Sequence, residues 1–173
     1  HGFGGLGDMA IKIAVAIGAE VTVFTTTQEK VGEAEKLGAT GDVEGDKDAY
    51  EALEDSFDFI LSTIPEKHKV DPFVPLLKRD AAYVAVGALA PMPGYNNQNL
   101  IMQRKTLAGS LIGSIAETQE ILDFCAKHGI APNVQVIAIQ EINEAYKRVK
   151  EDEVRFRYVI DIASLKQEMA DAA

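Results

Sequence analysis

Three glycines at the start of the chain, Gly2, Gly4 and Gly7, form a G-x-G-x-x-G turn that opens a helix. Each does separate work in binding a dinucleotide. The first permits a tight turn, the second lets the backbone approach a pyrophosphate, and the third lets the helix pack close to its strand. The helix N-terminus then directs unpaired N–H groups at the ligand's negative charge. Taken alone, such a turn is often only a turn. Here a helix and then a strand follow at the distance a dinucleotide fold needs.

The ribose position is informative through what it lacks. A site for NAD carries an Asp or Glu at the end of the second strand, about 20 residues past the glycines. In this chain that strand ends at Phe24 and runs into Thr25-Thr26-Thr27, with Lys30 one helical turn further on and Glu20 at the opposite end. Hydroxyl donors and an ammonium suit a 2′-phosphate, which a carboxylate would repel. The expected cofactor is therefore NADP(H). The threonines can also simply cap the following helix.

Other reactive side chains do not assemble in the sequence. His1, His68 and His128 lie far apart, without a cysteine at ligand spacing. Cys125 shares a helix face with Ile121 and Leu122, which suggests a buried thiol. His68 and His128 read as surface or helix-end residues. The chain is expected to hold no metal and no catalytic nucleophile.

The 173 residues, 47% hydrophobic and 25% charged, suffice for an ordinary globular core. A net charge of −10 argues against a nucleic-acid partner, though not against a small phosphate ligand held by backbone N–H groups. One cysteine excludes a disulfide framework. No apolar run approaches the ~18 residues of a membrane span and no secretory signal is visible, so a cytoplasmic location is expected.

The elements that must position these residues alternate. Helices are expected over Asp8–Ala16, Gln28–Leu37, Asp48–Asp55 and Pro72–Lys78. Strands are expected over Val21–Phe24, around Val43, and over Phe57–Thr63, Ala82–Gly87 and Thr106–Ile112. That rhythm implies βαβ units in a doubly wound parallel sheet of the Rossmann type. After Ser114 it changes, with helices over Glu117–His128 and Ile142–Val149 and strands over Val134–Ile139 and Tyr158–Ile162. This gives a dinucleotide-binding domain over 1–114 and an α+β tail over 115–173.

Six stretches in order resemble the cinnamyl-alcohol-dehydrogenase-like branch of the zinc-dependent medium-chain alcohol dehydrogenases. They are Gly2–Gly7, Phe24–Thr27 with Lys30, Phe57–Thr63, Val86–Ala88, Gly109–Ser114 and Val154–Asp161. The bacterial NADP-dependent aldehyde reductases of that branch are the nearest match. The resemblance implies that Gly4, Gly5 and Leu6 hold the pyrophosphate, and that Thr25, Thr26 and Lys30 hold the 2′-phosphate. Thr63 and Ile64 would border the ribose and adenine, while Val86, Gly87, Ser110 and Ile112 would offer backbone groups to the nicotinamide carboxamide. Leu111 and Ile112 would reach the substrate pocket and favour an apolar aldehyde. Asp8 departs from the pattern, since that branch usually has His there.

The resemblance implies that the catalytic zinc ligands come from an N-terminal domain before His1, so the zinc is expected in a longer parent. The tail would dock on that domain. In the order 3-2-1-4-5-6 the first strand lies in the middle, immediately before the glycines. Only His1 remains of it, which should leave neighbouring strands ~9.6 Å apart. A longer parent, or another chain, would supply it. The reading is the cofactor-binding portion of an NADP(H)-linked alcohol dehydrogenase acting on an aldehyde or primary alcohol. A nucleotide-binding module without chemistry is the alternative, and an S-adenosylmethionine site is a weaker third. The apolar strand Thr106–Ile112 should pair two copies into a homodimer.

Overall fold

The computed structural model describes residues 1–87, 90–151 and 157–166. Ala88 and residues 154–156, which belong to the stretches above, lie outside them. Helix α1 (Gly5–Ala16) follows the glycine turn directly and buries Gly7, Asp8 and Ile11. Strand β1 (Thr22–Thr25) and strand β2 (Thr40–Val43) run parallel, joined by α2 (Gln28–Lys36). The Thr27 hydroxyl caps α2 by accepting the Lys30 N–H, and the helix turns Val31 and Ala34 inward. Helix α3 (Lys47–Ala52) is capped by Asp46, which accepts from the Asp48 and Ala49 amides.

Strands β3 (Phe57–Ser62), β4 (Leu77–Ala85) and β5 (Thr106–Gly109) form a second parallel sheet in the order β3-β4-β5. Parallel strands buried on both faces need apolar cover on each side. Here Ile60, Val70, Phe73, Val74, Leu76, Leu77 and Tyr83 provide the core. Phe24 joins that cluster from β1, with its ring 5.5 Å from that of Phe73, and so packs the first sheet against the second. Full burial of such a side chain contributes roughly 1.5–3 kcal/mol.

β1 and β3 do not pair with each other. A cavity of about 740 Å³ separates them, lined by Ala10, Ile11 and Ala14 of α1 and by the residues of both strands. Only at its end is it bridged. There the Gly2 N–H donates to the Phe24 carbonyl at 2.9 Å, the His1 nitrogen donates to the Leu61 carbonyl at 2.8 Å, and the Thr63 N–H donates to the His1 carbonyl at 3.0 Å.

Beyond β5, α5 (Ile115–His128) starts with a capping box. The Ser114 hydroxyl accepts the Glu117 N–H, and the Ser114 amide, donating to Glu117, holds that carboxyl below the usual range. Gly129 closes the helix in the left-handed region. Strands β6 (Gln135–Ala138) and β7 (Tyr158–Asp161) form a separate sheet and are parallel, with α6 (Ile142–Lys150) between them, so this tail is itself a βαβ unit.

Several expectations are corrected. Residues 72–78 are not a helix but consecutive tight turns leading into β4, with the Leu76 and Leu77 amides bonded three residues back. Pro75 has no N–H to give, and apolar residues point inward all round rather than along one stripe. The strand expected over 106–112 ends at Gly109, leaving Leu111 and Ile112 beyond it. Helix α4 (Asn97–Ile101), capped by Asn96, was not anticipated. Cys125 is only half-buried, because α5 buries none of its residues.

Gly87 meets the backbone of Ile64 so closely that a Cβ there would collide with that carbonyl and lie 2.8 Å from the Pro65 nitrogen. Gly87→Ala is therefore expected to lower stability by roughly 1–3 kcal/mol in urea unfolding. Gly32→Ala, in α2 with open space around it, should instead raise it by about 0.5–1 kcal/mol.

Candidate functional site

The start of α1 carries no side-chain cap. Gly4 is its N-cap residue, its carbonyl accepts the Asp8 N–H at 2.9 Å, and no side chain closes the first turn. The first amides of a helix have no intrahelical partner, so this end is suited to an anion. A Cβ on Gly4 would meet nothing within 4 Å, and Leu6 is exposed, so the backbone here is approachable. Gly7 is the opposite case, for a Cβ there would strike the Gly2 carbonyl oxygen. Thr63 ties the turn down, its hydroxyl donating to the His1 and Gly2 carbonyls at 3.3 Å each.

The same edge gathers the other expected residues. Thr63 and Ile64 follow β3, Val86 and Gly87 follow β4, and Ser110 follows β5. The Val86 N–H donates to the Ser62 carbonyl at 2.9 Å and the Ser110 N–H to the Ala85 carbonyl at 3.1 Å, which holds the three strand ends level. Open α/β sheets bind ligands at the carboxyl ends of their strands, where these residues and the glycine turn meet. Ile112 and Leu111 lie past β5 and are almost fully exposed, so they touch no described wall of a pocket.

The ribose side is less uniform than the sequence suggests. Thr25 is buried at 2% exposure, so its hydroxyl does not face the edge. Thr26 is exposed, Thr27 is occupied as the cap of α2, and Lys30 is half-exposed at the start of that helix. Glu44, just past β2, is the nearby carboxylate, and it is turned to His1, whose Nε2 lies 2.8 Å from its Oε1 without hydrogen-bond alignment. Burial raises the Glu44 carboxyl above its usual range against the pull of His68 and Lys30.

His68 is not a plain surface residue. Its Nε2 meets Tyr83 Oη at 3.0 Å and Ser62 Oγ at 3.3 Å, and the His1 ring packs edge-on to it at 5.1 Å. Burial also raises the Tyr83 hydroxyl. This polar cluster backs the glycine turn from inside and satisfies groups that would otherwise be stranded in the core.

Asp8, the departure from the family pattern, is turned into the interior. It is fully buried, pairs with Lys12 at 2.8 Å and accepts from the Asn133 amide at 3.2 Å, while Lys12 also donates to the Ala131 carbonyl at 2.9 Å. Arg157 reaches the turn itself, its Nη2 donating to the Gly5 carbonyl at 2.7 Å while its Nε is buried without a partner. Sequence reasoning missed both contacts. The Asp8–Lys12 spacing of one helical turn was a signal for the first, whereas nothing local announces a partner more than a hundred residues away.

Comparison with known proteins gives the same architecture. A family model described as zinc-binding dehydrogenase matches residues 5–127. The chain belongs to that family. It is 48% identical over 166 residues to the aldehyde reductase YahK of Escherichia coli, covering 95% of this chain and 48% of that protein. It is 42% identical to an NADP-dependent alcohol dehydrogenase C of Mycolicibacterium smegmatis, with the same shares covered. Among solved structures it matches a cinnamyl alcohol dehydrogenase from Sorghum bicolor with a TM-score of 0.86 at 36% identity, over 94% of this chain and 46% of that one. It matches CAD from Helicobacter pylori, complexed with NADP(H), with a TM-score of 0.80 at 37% identity and the same coverage. The chain thus spans about half the length of these relatives. The likeness establishes a Rossmann-type fold.

Among the described residues no group of three His, Cys, Asp or Glu is placed to hold a metal. None of the described helices is long and apolar enough to cross a membrane.

Removing the Asp8 carboxylate leaves the Asn133 amide, at the seam with the tail, without this acceptor and takes the counter-charge from Lys12, which keeps the Ala131 carbonyl. Asp8→Ala is expected to lower stability by roughly 2–4 kcal/mol in chemical denaturation. A loss under about 0.5 kcal/mol, ordinary for a surface site, would show that the seam does not depend on it.

Proposed function

We propose that this chain is the NADP(H)-binding portion of a zinc-dependent alcohol dehydrogenase or aldehyde reductase. The observation that carries the reading is the uncapped start of α1 over open space at Gly4, level with the ends of β3, β4 and β5. Gly4, Gly5 and Leu6 would take the pyrophosphate on their amides, with Gly2 and Gly7 shaping the turn. Arg157 would add positive charge beside it. Thr26 and Lys30 would hold the 2′-phosphate, with Thr25 reduced to a backbone role because it is buried. Thr63 and Ile64 would border the ribose, and Val86, Gly87, Ser110 and Ile112 would orient the carboxamide.

NADP(H) would supply or take up a hydride, exchanged with an aldehyde or primary alcohol. The residues described here bind and orient the cofactor and keep carboxylates away from its phosphates. In this proposal residues 1–114 form the dinucleotide domain, residues 115–173 pack on a catalytic domain, and the zinc is held elsewhere. Leu111 and Ile112, exposed here, would face an apolar substrate across that boundary. The outer position of β5 in its sheet supports pairing of two copies along it.

The name of the YahK relative, an aldehyde reductase, and the NADP(H) complex of the Helicobacter protein support this reading. A charge-assisted contact contributes roughly 1.5–3 kcal/mol, or about 10- to 150-fold in affinity. Lys30→Ala should weaken NADP(H) by up to that factor and leave NAD(H) nearly unchanged, as read from dissociation constants by fluorescence titration. Thr26→Asp should reverse the preference. Equal affinity of the unmodified chain for both cofactors would overturn the assignment.

A further inference from the structure

The bend that follows β3 has little regular support. Residues 65–67 are exposed and lie in no helix or strand, yet the residues just before them are held tightly. The Thr63 N–H donates to the His1 carbonyl at 3.0 Å, and its hydroxyl donates to the Gly2 carbonyl at 3.3 Å. The Ile64 side chain sits so near Gly2 that a Cβ there would lie 2.9 Å from its Cγ1, and the Ile64 carbonyl lies against Gly87. The Pro65 carbonyl accepts the Ala90 N–H at 3.1 Å. The bend thus touches the glycine turn on one side and the end of β4 on the other, and its position sets how the two meet.

His68 anchors this bend from below. Its Nδ1 lies 2.8 Å from the Glu66 carbonyl, which can only accept, so Nδ1 carries the hydrogen. In the neutral ring Nε2 is then an acceptor. The Tyr83 hydroxyl donates to it at 3.0 Å, and the Ser62 hydroxyl lies at 3.3 Å. Both hydroxyls belong to residues only 1% exposed, on β4 and β3. The His1 ring stands further off, its Nδ1 3.4 Å from each of them. A side chain that only satisfied the core would need one of these bonds, and one that only closed a turn would need the other. The imidazole supplies both across a rigid ring.

We propose that His68 is a positioning residue of the cofactor site: its imidazole ties the bend at 63–67 to the buried Tyr83 hydroxyl and so sets Thr63 and Ile64 against the glycine turn. This rests on the reading that the turn takes the pyrophosphate of NADP(H). His68 acts through Thr63 and Ile64 rather than by its own contact with the ligand. The groups assigned to the 2′-phosphate, Thr26 and Lys30, belong to other elements, so His68 supports NADP(H) and NAD(H) alike. That separates its role from the one assigned to Lys30.

Two substitutions divide the bonds of the ring. His68→Gln places an amide oxygen near the position of Nε2, where it accepts from Tyr83, and gives up the Glu66 bond. His68→Asn places an amide N–H near the position of Nδ1, for the Glu66 carbonyl, and gives up the Tyr83 bond. Dissociation constants for NADPH and NADH are read by fluorescence titration of the full chain, together with the thermal midpoint. His68→Gln keeps the buried hydroxyl partnered, so its midpoint should stay close to the parent's. Its affinity for both cofactors should fall by the same factor, about three- to tenfold. His68→Asn should weaken both cofactors likewise and also lower the midpoint, because Tyr83 loses its 3.0 Å acceptor. Long-range ¹H–¹⁵N spectra of the parent imidazole in mildly alkaline buffer should show the hydrogen on Nδ1. Four results would overturn the inference: unchanged affinities in His68→Gln, a loss confined to NADPH, a loss that appears only where the midpoint falls, or the hydrogen on Nε2. With binding intact in the parent these overturn this inference alone, whereas a parent chain that binds neither cofactor overturns the functional reading with it.

Discussion

The helix α1 must do two things that oppose each other. It has to press its first turn against the ends of β1 and β3, and it has to leave the amides of that turn uncovered. Glycine at position 7 permits the first, because any side chain would strike the Gly2 carbonyl. The absence of a capping side chain at Gly4 permits the second, at a cost of only about a few tenths of a kcal/mol relative to a Ser or Asp cap, because glycine is itself tolerated there. Thr63 then fixes the turn by donating its hydroxyl to the His1 and Gly2 carbonyls. Strand ends, turn and helix start are held together by these few contacts, and the positions of Ile64 and Gly87 follow from them.

Electrostatics at that edge run against the chain as a whole. A protein with a net charge of −10 would repel a dinucleotide unless its nearby carboxylates were engaged. Asp8 is paired with Lys12 and bonded to Asn133, and Glu44 is turned to His1. The α1 terminus, Lys30 and Arg157 contribute positive potential on this side. The same Asp8 contacts join residues 131–133 to the first helix, so one buried carboxylate serves both the fold and the field around the turn.

Much of this was legible in the sequence because it is local. The glycine spacing, the threonines after β1, and the capping pair Ser114 and Glu117 act within a few residues and carry their own signals. The alternation of helix and strand likewise identified the parallel strand pairing. What failed depends on burial. Residues 72–78 read as a helix because apolar density resembles a helix face, yet Phe73, Val74, Leu76 and Leu77 are all buried, on more than one side of the segment. Thr25 is the buried last residue of β1 while Thr26, beyond the strand, is exposed, a difference that two adjacent threonines do not announce. His68 joined a buried cluster with Ser62 and Tyr83, and Asp8 found Asn133, through packing that no short window contains.

The central claim is that the bare first turn of α1 receives a pyrophosphate. Amide NMR shifts during titration of the ¹⁵N-labelled chain with NADP⁺ test it directly. The account predicts that the largest saturable shifts fall on Gly4, Gly5, Leu6 and Gly7, with Thr26 and Lys30 following at the same apparent affinity and an ADP titration shifting only the glycine turn. Saturable shifts that leave those four amides unmoved would contradict it.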